Sequence, residues 1–414
     1  MQVWQRSMDY YHNNKIWFVA QVNKNGVMTN YLWYYDLVTK TFSALKDLQA
    51  PGISGSDNHH WCPIILSDDG HIIYVYDNVS ASSHNKGIII KRSVNPEDYG
   101  NFNTVYDGST PGYWQAYPNL FKFPNGKIMV IWRGEPGTGS QYNNCGMFSN
   151  DGGQTWGSAF KIIEEINGIS GITDPINYYI ISGGNNKYLG LMVIVRNGSG
   201  GKFKWVFYYQ TEDGQTWYNG ERNFSKDVLT NGAITSQESL DHFLVDNSLS
   251  TTNSDYSTPL AVAIDDDGTP FIFYGFLYYV NGGYNDRRAF MVHFKNGNKT
   301  KIDISEFYKI YDTIKSYGTV AIARKSGVVD ISLSPIDQTG NYYFLNQLRT
   351  YDYGQTFYLY RHKIISEKEE LGLGYKSICM NLLQSNTKEG FLHVGIKSNN
   401  KYDLALIHLE RKDG

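Results

Sequence analysis

Short apolar stretches separated by polar turns run along nearly the whole chain. Residues 72–76, 127–132 and 203–210 are examples, rich in the β-branched and aromatic side chains that strands prefer. Asn-Gly, Asp-Gly and Gly-Gly pairs lie between such stretches and are typical of tight hairpins. The longest segment with helical character, residues 365–374, is short and interrupted by glycine. The pattern therefore predicts an all-β protein.

A two-strand unit recurs along the chain. Residues 63–77, 118–133 and 259–275 each start with proline and an apolar strand, turn at an Asp-Gly or Asn-Gly pair, and continue into a second apolar strand. Looser two-strand units lie at 16–37, 175–196, 319–333 and 378–396. Each unit needs neighbours to bury both faces of its sheet, and radial repetition in a β-propeller provides them. We therefore expect residues 1–414 to form one propeller, with seven blades favoured over six or eight and an N-terminal strand closing the last blade.

A second repeat has the pattern Ser/Thr-x-Asp-x-Gly-x-Thr-Trp/Phe. It occurs at residues 149–156 and 350–357, and residues 211–217 carry a copy that is one residue shorter. In such a turn the Asp accepts hydrogen bonds, the Gly adopts a left-handed conformation and the aromatic ring fills the space between strands. This is the Asp-box found in propellers that resemble sialidases, and we expect it to be structural and to lie away from the pocket.

Charge and composition narrow the class of protein. The chain has 37 basic and 40 acidic side chains, and 15% of its residues are aromatic. The aromatic content excludes a disordered chain, and no apolar stretch approaches the roughly 18 residues of a membrane span. Near-neutral charge argues against a nucleic-acid partner, which would call for a basic face. The rings therefore serve either to pack sheets or to stack on sugars.

Cysteine usage and the N-terminus add expectations about cofactors and location. Cys62, Cys145 and Cys379 lie far apart without a Cys-x-x-Cys pair, so we expect buried free thiols. No cofactor is required and no metal site is predicted, although a structural cation is compatible with the chain. The first 15 residues lack the apolar core of a signal peptide. We nevertheless expect a secreted, extracellular or virion-associated protein.

Polar residues at the strand ends of the repeated units are the candidates for chemistry. Asp77 and Arg133 end the second strands of their units, and Arg196 has the corresponding place in the looser unit 175–196. Tyr117 directly precedes Pro118, the first residue of the unit 118–133. In a propeller these strand ends lie around the mouth of the central channel. We therefore expect the side chains to lie close together.

An Arg with a Tyr and nearby His residues suits β-elimination from a uronic acid. The C5 proton becomes acidic once a bidentate Arg neutralises the carboxylate. A His or a Tyr can then act as the base, and a Tyr hydroxyl can protonate the leaving oxygen. Hydrolysis would call for two carboxylates that flank the glycosidic bond, and the repeat positions offer no obvious pair.

The same residues resemble a known family. The runs Asp57-Asn58-His59-His60, Tyr117-Pro118 and Arg133-Gly134, together with His84, are similar to the BNR-repeat polysaccharide lyases, and in pattern to the seven-bladed ulvan lyases. The resemblance implies cleavage of an anionic, uronate-containing, ulvan-like polysaccharide, and it implies these catalytic residues: His59, His84, Tyr117 and Arg133. The family's usual Asp-x-His-Asn is changed here, and the loop before His84 differs in length.

Further residues are expected to bind substrate. Tyr113 and Trp114 would stack on sugar rings, and Arg196 would bind a second carboxylate or a sulfate. The full expected set is Asn58, His60, Tyr113, Trp114, Arg196 and Tyr178, with Tyr179 as the alternative to the last. Structural roles compete with these assignments, since Arg133 would equally pair with Glu135 or with a carboxylate of an inner strand, and a strand-edge His is commonly structural.

Two other functions compete with the lyase. One is a non-catalytic, carbohydrate-binding propeller of a viral or cell-surface assembly. The other is a sialidase-like hydrolase, but sialidases have an Arg in the first blade and residues 13–48 contain none. The sequence does not predict an oligomeric state.

Overall fold

A computed structural model of the chain describes residues 9–24, 27–48, 53–54, 62–77, 87–108, 115–135, 142–169, 175–185, 187–197, 203–247, 256–280, 283–308, 319–325, 327–333, 343–365, 378–382, 390–398 and 401–409.

The described strands form seven antiparallel sheets in chain order. Sheet 1 contains β1 (Asp9–His12), β2 (Lys15–Lys24), β3 (Val27–Asp36), β4 (Thr41–Phe42), β5 (Lys46–Asp47) and β6 (Ile53–Ser54). Sheet 2 contains β7 (Ile64–Leu66), β8 (Ile72–Asp77), β9 (Ile88–Ser93) and β10 (Phe102–Asp107). Sheet 3 contains β11 (Ala116–Lys122), β12 (Ile128–Arg133), β13 (Asn144–Ser149) and β14 (Phe160–Ile163).

The remaining sheets follow the same plan. Sheet 4 contains β15 (Pro175–Gly184), β16 (Leu189–Asn197), β17 (Phe203–Thr211), β18 (Thr216–Tyr218), β19 (Ser225–Asp227) and β20 (Leu244–Asp246). Sheet 5 contains β21 (Tyr256–Ile264), β22 (Pro270–Val280), β23 (Gly283–Lys295) and β24 (Asn298–Asp303). Sheet 6 contains β25 (Thr319–Lys325), β26 (Val328–Leu333), β27 (Tyr343–Thr350) and β28 (Tyr358–Ile365). Sheet 7 contains β29 (Ile378–Leu382), β30 (Gly390–Ser398) and β31 (Lys401–Leu409).

The sheets are arranged as in a β-propeller. The first strands of sheets 3 to 7, namely β11, β15, β21, β25 and β29, lie one against the next, and β11 also contacts β7 and β8 of sheet 2. The predicted all-β propeller is therefore confirmed. The number of described sheets equals the number of predicted units, while the blade number itself stays a prediction.

Two sequence predictions concern segments of which only a part is described. The described N-terminal strand, β1, pairs with β2 in sheet 1. Residues 1–8 lie outside the described residues, so an N-terminal strand that closes the last blade stays a prediction. Of the segment 365–374 with helical character, only Ile365 is described, at the end of β28.

The inner strands are buried on both faces, which explains their nearly continuous apolar sequences. Every residue of β8 and of β12 is buried, because each sheet packs against a sheet on either side. The largest side chains, including Trp132 and Trp217, fill the space between sheets and are fully buried. Truncation of such a ring to alanine typically costs about 3–5 kcal/mol.

Helical structure is confined to two short connections within the described part of the chain. Helix α1 (Ser236–Glu238) continues into a π-helical turn at Ser239–Phe243, and α2 is Ser305–Tyr308. A capping box starts α1, since the Thr235 hydroxyl accepts from the Glu238 N–H and the Glu238 carboxylate accepts from the Thr235 N–H. The strand pattern did not predict this helix, although Thr-x-x-Glu was a readable signal.

The three repeated turns share one set of hydrogen bonds. In the turn at 149–156, the Ser149 hydroxyl donates to Asp151 Oδ1 (2.8 Å) and accepts from the Gly153 N–H (2.8 Å), while the Thr155 N–H donates to Asp151 (2.9 Å). The same three bonds recur at 211–217 and 350–357. All three turns follow the third strand of their sheet, at residues 149, 211 and 350.

Each of these turns also packs against the preceding sheet. Gly153 approaches Ile73 of sheet 2 so closely that a Cβ on Gly153 would overlap Ile73 Cδ1. Gly214 contacts Phe148 of sheet 3 in the same way, and Gly354 contacts Met291 of sheet 5. The turns therefore hold neighbouring sheets together, which is a structural role.

Substitution of Gly153 by alanine is expected to destabilise the protein by about 2–4 kcal/mol, combining strain at a φ of 84° with overpacking against Ile73. Gly168 is a matched control, because its φ is 76° and a Cβ there would meet nothing within 4 Å. Gly168→Ala should cost only about 1 kcal/mol. Thermal and urea unfolding measure the loss of stability in each variant. Equal losses would contradict the packing role.

The hairpins between first and second strands connect neighbouring sheets at one end of the molecule. Lys122 Nζ lies 2.8 Å from Asp68 Oδ1 and joins sheets 3 and 2. Asn185 Nδ2 donates to the carbonyl of Asp265 (2.8 Å), and the Gly327 N–H donates to Asp265 Oδ2 (3.3 Å), so sheets 4, 5 and 6 are linked in turn. Lys122 is the last residue of β11, and any site at the first residues of β11 therefore lies at the opposite end.

Candidate active site

Tyr117 and Arg133 lie side by side at that opposite end of sheet 3. Tyr117 is the second residue of β11 and Arg133 is the last of β12, where it pairs with Ala116. The Arg133 Cζ atom is 4.6 Å from the centre of the Tyr117 ring, which is within cation–π range. Each residue is only 4% exposed. The predicted Tyr–Arg pair is thus present in a low-dielectric setting, where charges act strongly.

The backbone at Tyr117 has an uncommon conformation. Its φ is 58°, in the left-handed region, although the residue is not glycine and precedes Pro118. The strand register shifts between Ala116 and Asn119, and the Asn119 side-chain amide donates to the Tyr117 carbonyl (3.0 Å). A bulge of this kind re-aims a side chain, and such strain of about 1–3 kcal/mol concentrates at functional sites.

The bulge also corrects one part of the repeat alignment. Tyr117 is nine residues before its hairpin glycine, Gly126, whereas Cys62 is eight before Gly70 and Thr258 is ten before Gly268. The prolines of the repeated units therefore do not mark equivalent positions. In strand pairing, Thr258 faces Gly275 as Ala116 faces Arg133, so Thr258 is level with Ala116 and not with Tyr117.

The residues that follow Arg133 are held by β13 and β14. The Gly134 N–H donates to the Asn143 carbonyl (2.7 Å), and the Trp132 indole N–H donates to the Gly134 carbonyl (2.8 Å). Glu135 accepts from the Asn143 amide (2.5 Å) and lies 3.1 Å from Lys161 Nζ. The partners that the structure shows for Glu135 are thus Asn143 and Lys161, which weakens the alternative that Arg133 serves to neutralise Glu135.

Sequence reasoning missed Tyr142. Its ring centre is 5.7 Å from Arg133 Cζ, so a second tyrosine lies within cation–π range of the guanidinium. Among 34 tyrosines, nothing in the local sequence distinguishes Tyr142. Only its place beside the end of β12 could have indicated it.

Buried amides beside the pair were also missed. Asn144 faces Arg133 in the strand pairing and is fully buried. Asn177 of β15, also fully buried, donates to the Glu164 carbonyl (3.1 Å) and accepts from the Ile166 N–H (3.2 Å). These bonds join the end of sheet 3 to sheet 4 beside the site. In a sequence, Asn indicates a turn more than a strand, so this link between the two sheets was not predicted.

Asp77 occupies the position in sheet 2 that Arg133 occupies in sheet 3. It is the last residue of β8 and is 3% exposed.

Burial, and secondarily the Asp77 charge, raises the pKa of the Cys62 thiol well above its ordinary value. Burial also raises the pKa of the Cys145 thiol to about 12. The expected buried free thiols are confirmed for both, while Cys379 has no described side chain.

Most of the other predicted site residues cannot be placed. Residues Asn58, His59, His60, His84, Tyr113 and Trp114 lie outside the described residues. Arg196 lies in β16, paired with Ile176, and Tyr178 lies at a register shift in β15, but neither side chain is described. Of the predicted catalytic set, the structure therefore brings together Tyr117 and Arg133, and the two histidines stay predictions.

Neither a candidate metal site nor a helix suited to crossing a membrane occurs among the described residues. No three of their His, Cys, Asp and Glu side chains are grouped so as to hold a metal ion. No helix among them is long and apolar enough to cross a membrane.

The propeller fold and its three repeated turns define a class, that of propellers built from BNR repeats. The chain belongs to the BNR repeat-containing family, whose sequence model matches residues 8–306. No curated protein matches it.

Among the solved structures that are similar to nearly the whole chain are two polysaccharide lyases. One is a PL25 ulvan lyase bound to -[GlcA(1-4)Rha3S]-, with a TM-score of 0.74, 14% identity, and coverage of 99% of this chain and 93% of that one. The other is the polysaccharide lyase Uly1, with a TM-score of 0.62, 12% identity, and coverage of 98% and 89%. The resemblance predicted from sequence is therefore confirmed for family and fold.

Proposed function

We propose that the protein is a polysaccharide lyase that cleaves an anionic, uronate-containing polysaccharide by β-elimination. The observation that carries the proposal is the buried Tyr117–Arg133 pair, with 4.6 Å between guanidinium and ring. The same fold occurs in an ulvan lyase bound to -[GlcA(1-4)Rha3S]-, which supports a substrate of that chemical class. A secreted or virion-associated location and an ulvan-like substrate belong to this proposal.

The proposed reaction uses the pair in two roles. Arg133 binds the uronate carboxylate through its N–H edge and stabilises the charge that develops when the C5 proton leaves. A base takes that proton, the C4–O bond breaks, and a C4=C5 double bond forms. The departing glycosidic oxygen receives a proton from an acid. Tyr117 makes one of these two proton transfers, and His59 or His84 makes the other.

Ultraviolet absorbance of the unsaturated uronate product tests the proposal. Purified protein is incubated with ulvan, glucuronan and related uronate glycans, and both absorbance and reducing ends are followed. New reducing ends with matching absorbance are expected. Reducing ends without absorbance would indicate a hydrolase, and binding without either signal would indicate a non-catalytic propeller. Both of the latter outcomes overturn the lyase.

Arg196 is expected to contribute to substrate binding and not to the chemical step. Arg196→Ala should raise KM about 10- to 150-fold, the effect of losing one charged hydrogen bond, with kcat nearly unchanged. Steady-state kinetics on sulfated and desulfated substrate would show whether the contact is to a sulfate. A fall in kcat at constant KM would contradict the binding role.

A further inference from the structure

We propose that Tyr142 is a positioning residue that orients the Arg133 guanidinium for carboxylate binding. This inference rests on the proposed function and deepens it, because it concerns how the same site recognises a uronate. Tyr142 is half-buried, with its ring centre 5.7 Å from Arg133 Cζ.

The strand pairing explains why Tyr142 meets Arg133. Arg133 of β12 faces Asn144 of β13, and the Gly134 N–H extends the ladder by donating to the Asn143 carbonyl (2.7 Å). Tyr142 is two residues before Asn144, which makes it the diagonal neighbour of Arg133 across the pair. Diagonal neighbours are within reach of each other when one is aromatic and the other long. Tyr117 approaches Arg133 from the other adjacent strand, β11.

The backbone beside Tyr142 is anchored firmly. Its neighbour Asn143 donates from its side chain to Glu135 (2.5 Å), accepts the Glu165 N–H on its side-chain oxygen (2.8 Å), and accepts the Gly134 N–H on its carbonyl. Asn143 is itself 6% exposed. The backbone that carries the Tyr142 ring is therefore held in place by its neighbour.

Two rings near one guanidinium have a chemical consequence. A guanidinium is planar, interacts with aromatic rings and forms hydrogen bonds through its N–H edge. Contact with Tyr117 and Tyr142 restricts its rotamers and so fixes the direction of the N–H edge, the edge that binds a carboxylate in bidentate fashion. A cation–π contact is worth about 0.5–2 kcal/mol, the upper values when it is desolvated. Tyr142 thus acts through Arg133 and not on the substrate.

Carboxylate-dependent binding tests this role. Affinity is measured calorimetrically for a uronate oligosaccharide and for its carboxyl-reduced analogue. Tyr142→Leu, which removes the ring, is expected to weaken binding of the uronate form about 5- to 20-fold and to leave the reduced form unchanged. Tyr142→Phe, which keeps the ring, should bind both within about twofold of the unmodified protein.

Tyr218→Leu is the matched control. Tyr218 forms a contact of the same kind, 4.8 Å from Arg222 Cζ, in the outer strand β18 of sheet 4. Tyr218→Leu should leave carboxylate-dependent binding unchanged. Thermal unfolding of all variants verifies that they are folded. Equal weakening of both ligands by Tyr142→Leu, or weakening by Tyr142→Phe as large as that by Tyr142→Leu, would overturn the positioning role. So would an unchanged affinity in Tyr142→Leu.

The outcome also separates this inference from the proposed function. If the unmodified protein binds uronate but releases no unsaturated product, the lyase fails while the affinity ratios still test Tyr142. If product forms but Tyr142→Leu retains full carboxylate-dependent binding, the lyase stands and the positioning role fails. If the unmodified protein binds neither oligosaccharide, both fail together.

Discussion

Tyr117→Phe is expected to lower kcat by about 10²–10⁴, the usual contribution of a positioned acid or base, with little change in KM. The substitution removes one oxygen and keeps the ring, so the contact with Arg133 and the strained backbone at φ 58° are preserved. Proton transfer at this position then has no donor or acceptor. Initial rates of unsaturated product formation measure the effect.

A second tyrosine provides the control for that result. Tyr106 in β10 is half-buried, and Tyr106→Phe removes the same atom from the outermost strand of sheet 2. Its activity should stay within about twofold of the unmodified protein. If Tyr117→Phe also keeps nearly full rate, Tyr117 transfers no proton, and the acid and base roles would fall to His59 and His84.

Arg133→Ala is expected to lower kcat/KM by about 10²–10³ or more, because the C5 proton is weakly acidic unless the carboxylate is neutralised. Arg133→Lys should recover only part of this loss. An ammonium supplies the charge, but not the planar pair of N–H donors that matches a carboxylate. Kinetics on the uronate polymer measure both variants.

Removal of a buried guanidinium can also affect the fold, so Arg133→Ala needs controls. Unfolding temperatures identify any loss of structure, and Arg133→Lys retains the charge if Arg133→Ala does not fold. Arg222→Ala removes an exposed guanidinium that pairs with Glu212 (2.7 Å) in the outer part of sheet 4, and it should leave activity unchanged. Folded Arg133 variants with undiminished kcat/KM would show that the carboxylate is neutralised elsewhere.

These two substitutions also separate the competing functions. In a non-catalytic carbohydrate-binding propeller, Tyr117→Phe would have no chemical step to slow, and Arg133→Ala would alter affinity alone. In the proposed lyase, the first changes kcat and the second changes kcat/KM. The comparison is informative because Tyr117→Phe removes only a hydroxyl while Arg133→Ala removes the charge, and unfolding temperatures identify any general disturbance of the fold in either variant.

The strands and turns of this protein follow from local sequence. Apolar runs such as 72–76 and 127–132 predict strands buried on both faces, and the structure has them at Ile72–Asp77 and Ile128–Arg133. The Asp-box turns were equally readable, since a Ser or Thr, an Asp and a Gly at fixed spacing satisfy one another within a few residues. The pairing of Tyr117 with Arg133 was predicted from the repeat, because the two strands form one hairpin.

Other features depend on contacts that no short stretch of sequence encodes. The left-handed φ of Tyr117 belongs to a bulge whose register is set by β12, and the repeated prolines misaligned the units for that reason. Tyr142 approaches Arg133 only because β13 returns beside β12.

The sequence by itself therefore determined the all-β repeat, its turns and one hairpin of the site, since these depend on period and on near neighbours. Only the tertiary structure decided which Tyr rings surround the guanidinium and how Asn177 joins sheet 4 to sheet 3, since these contacts join residues from separate strands.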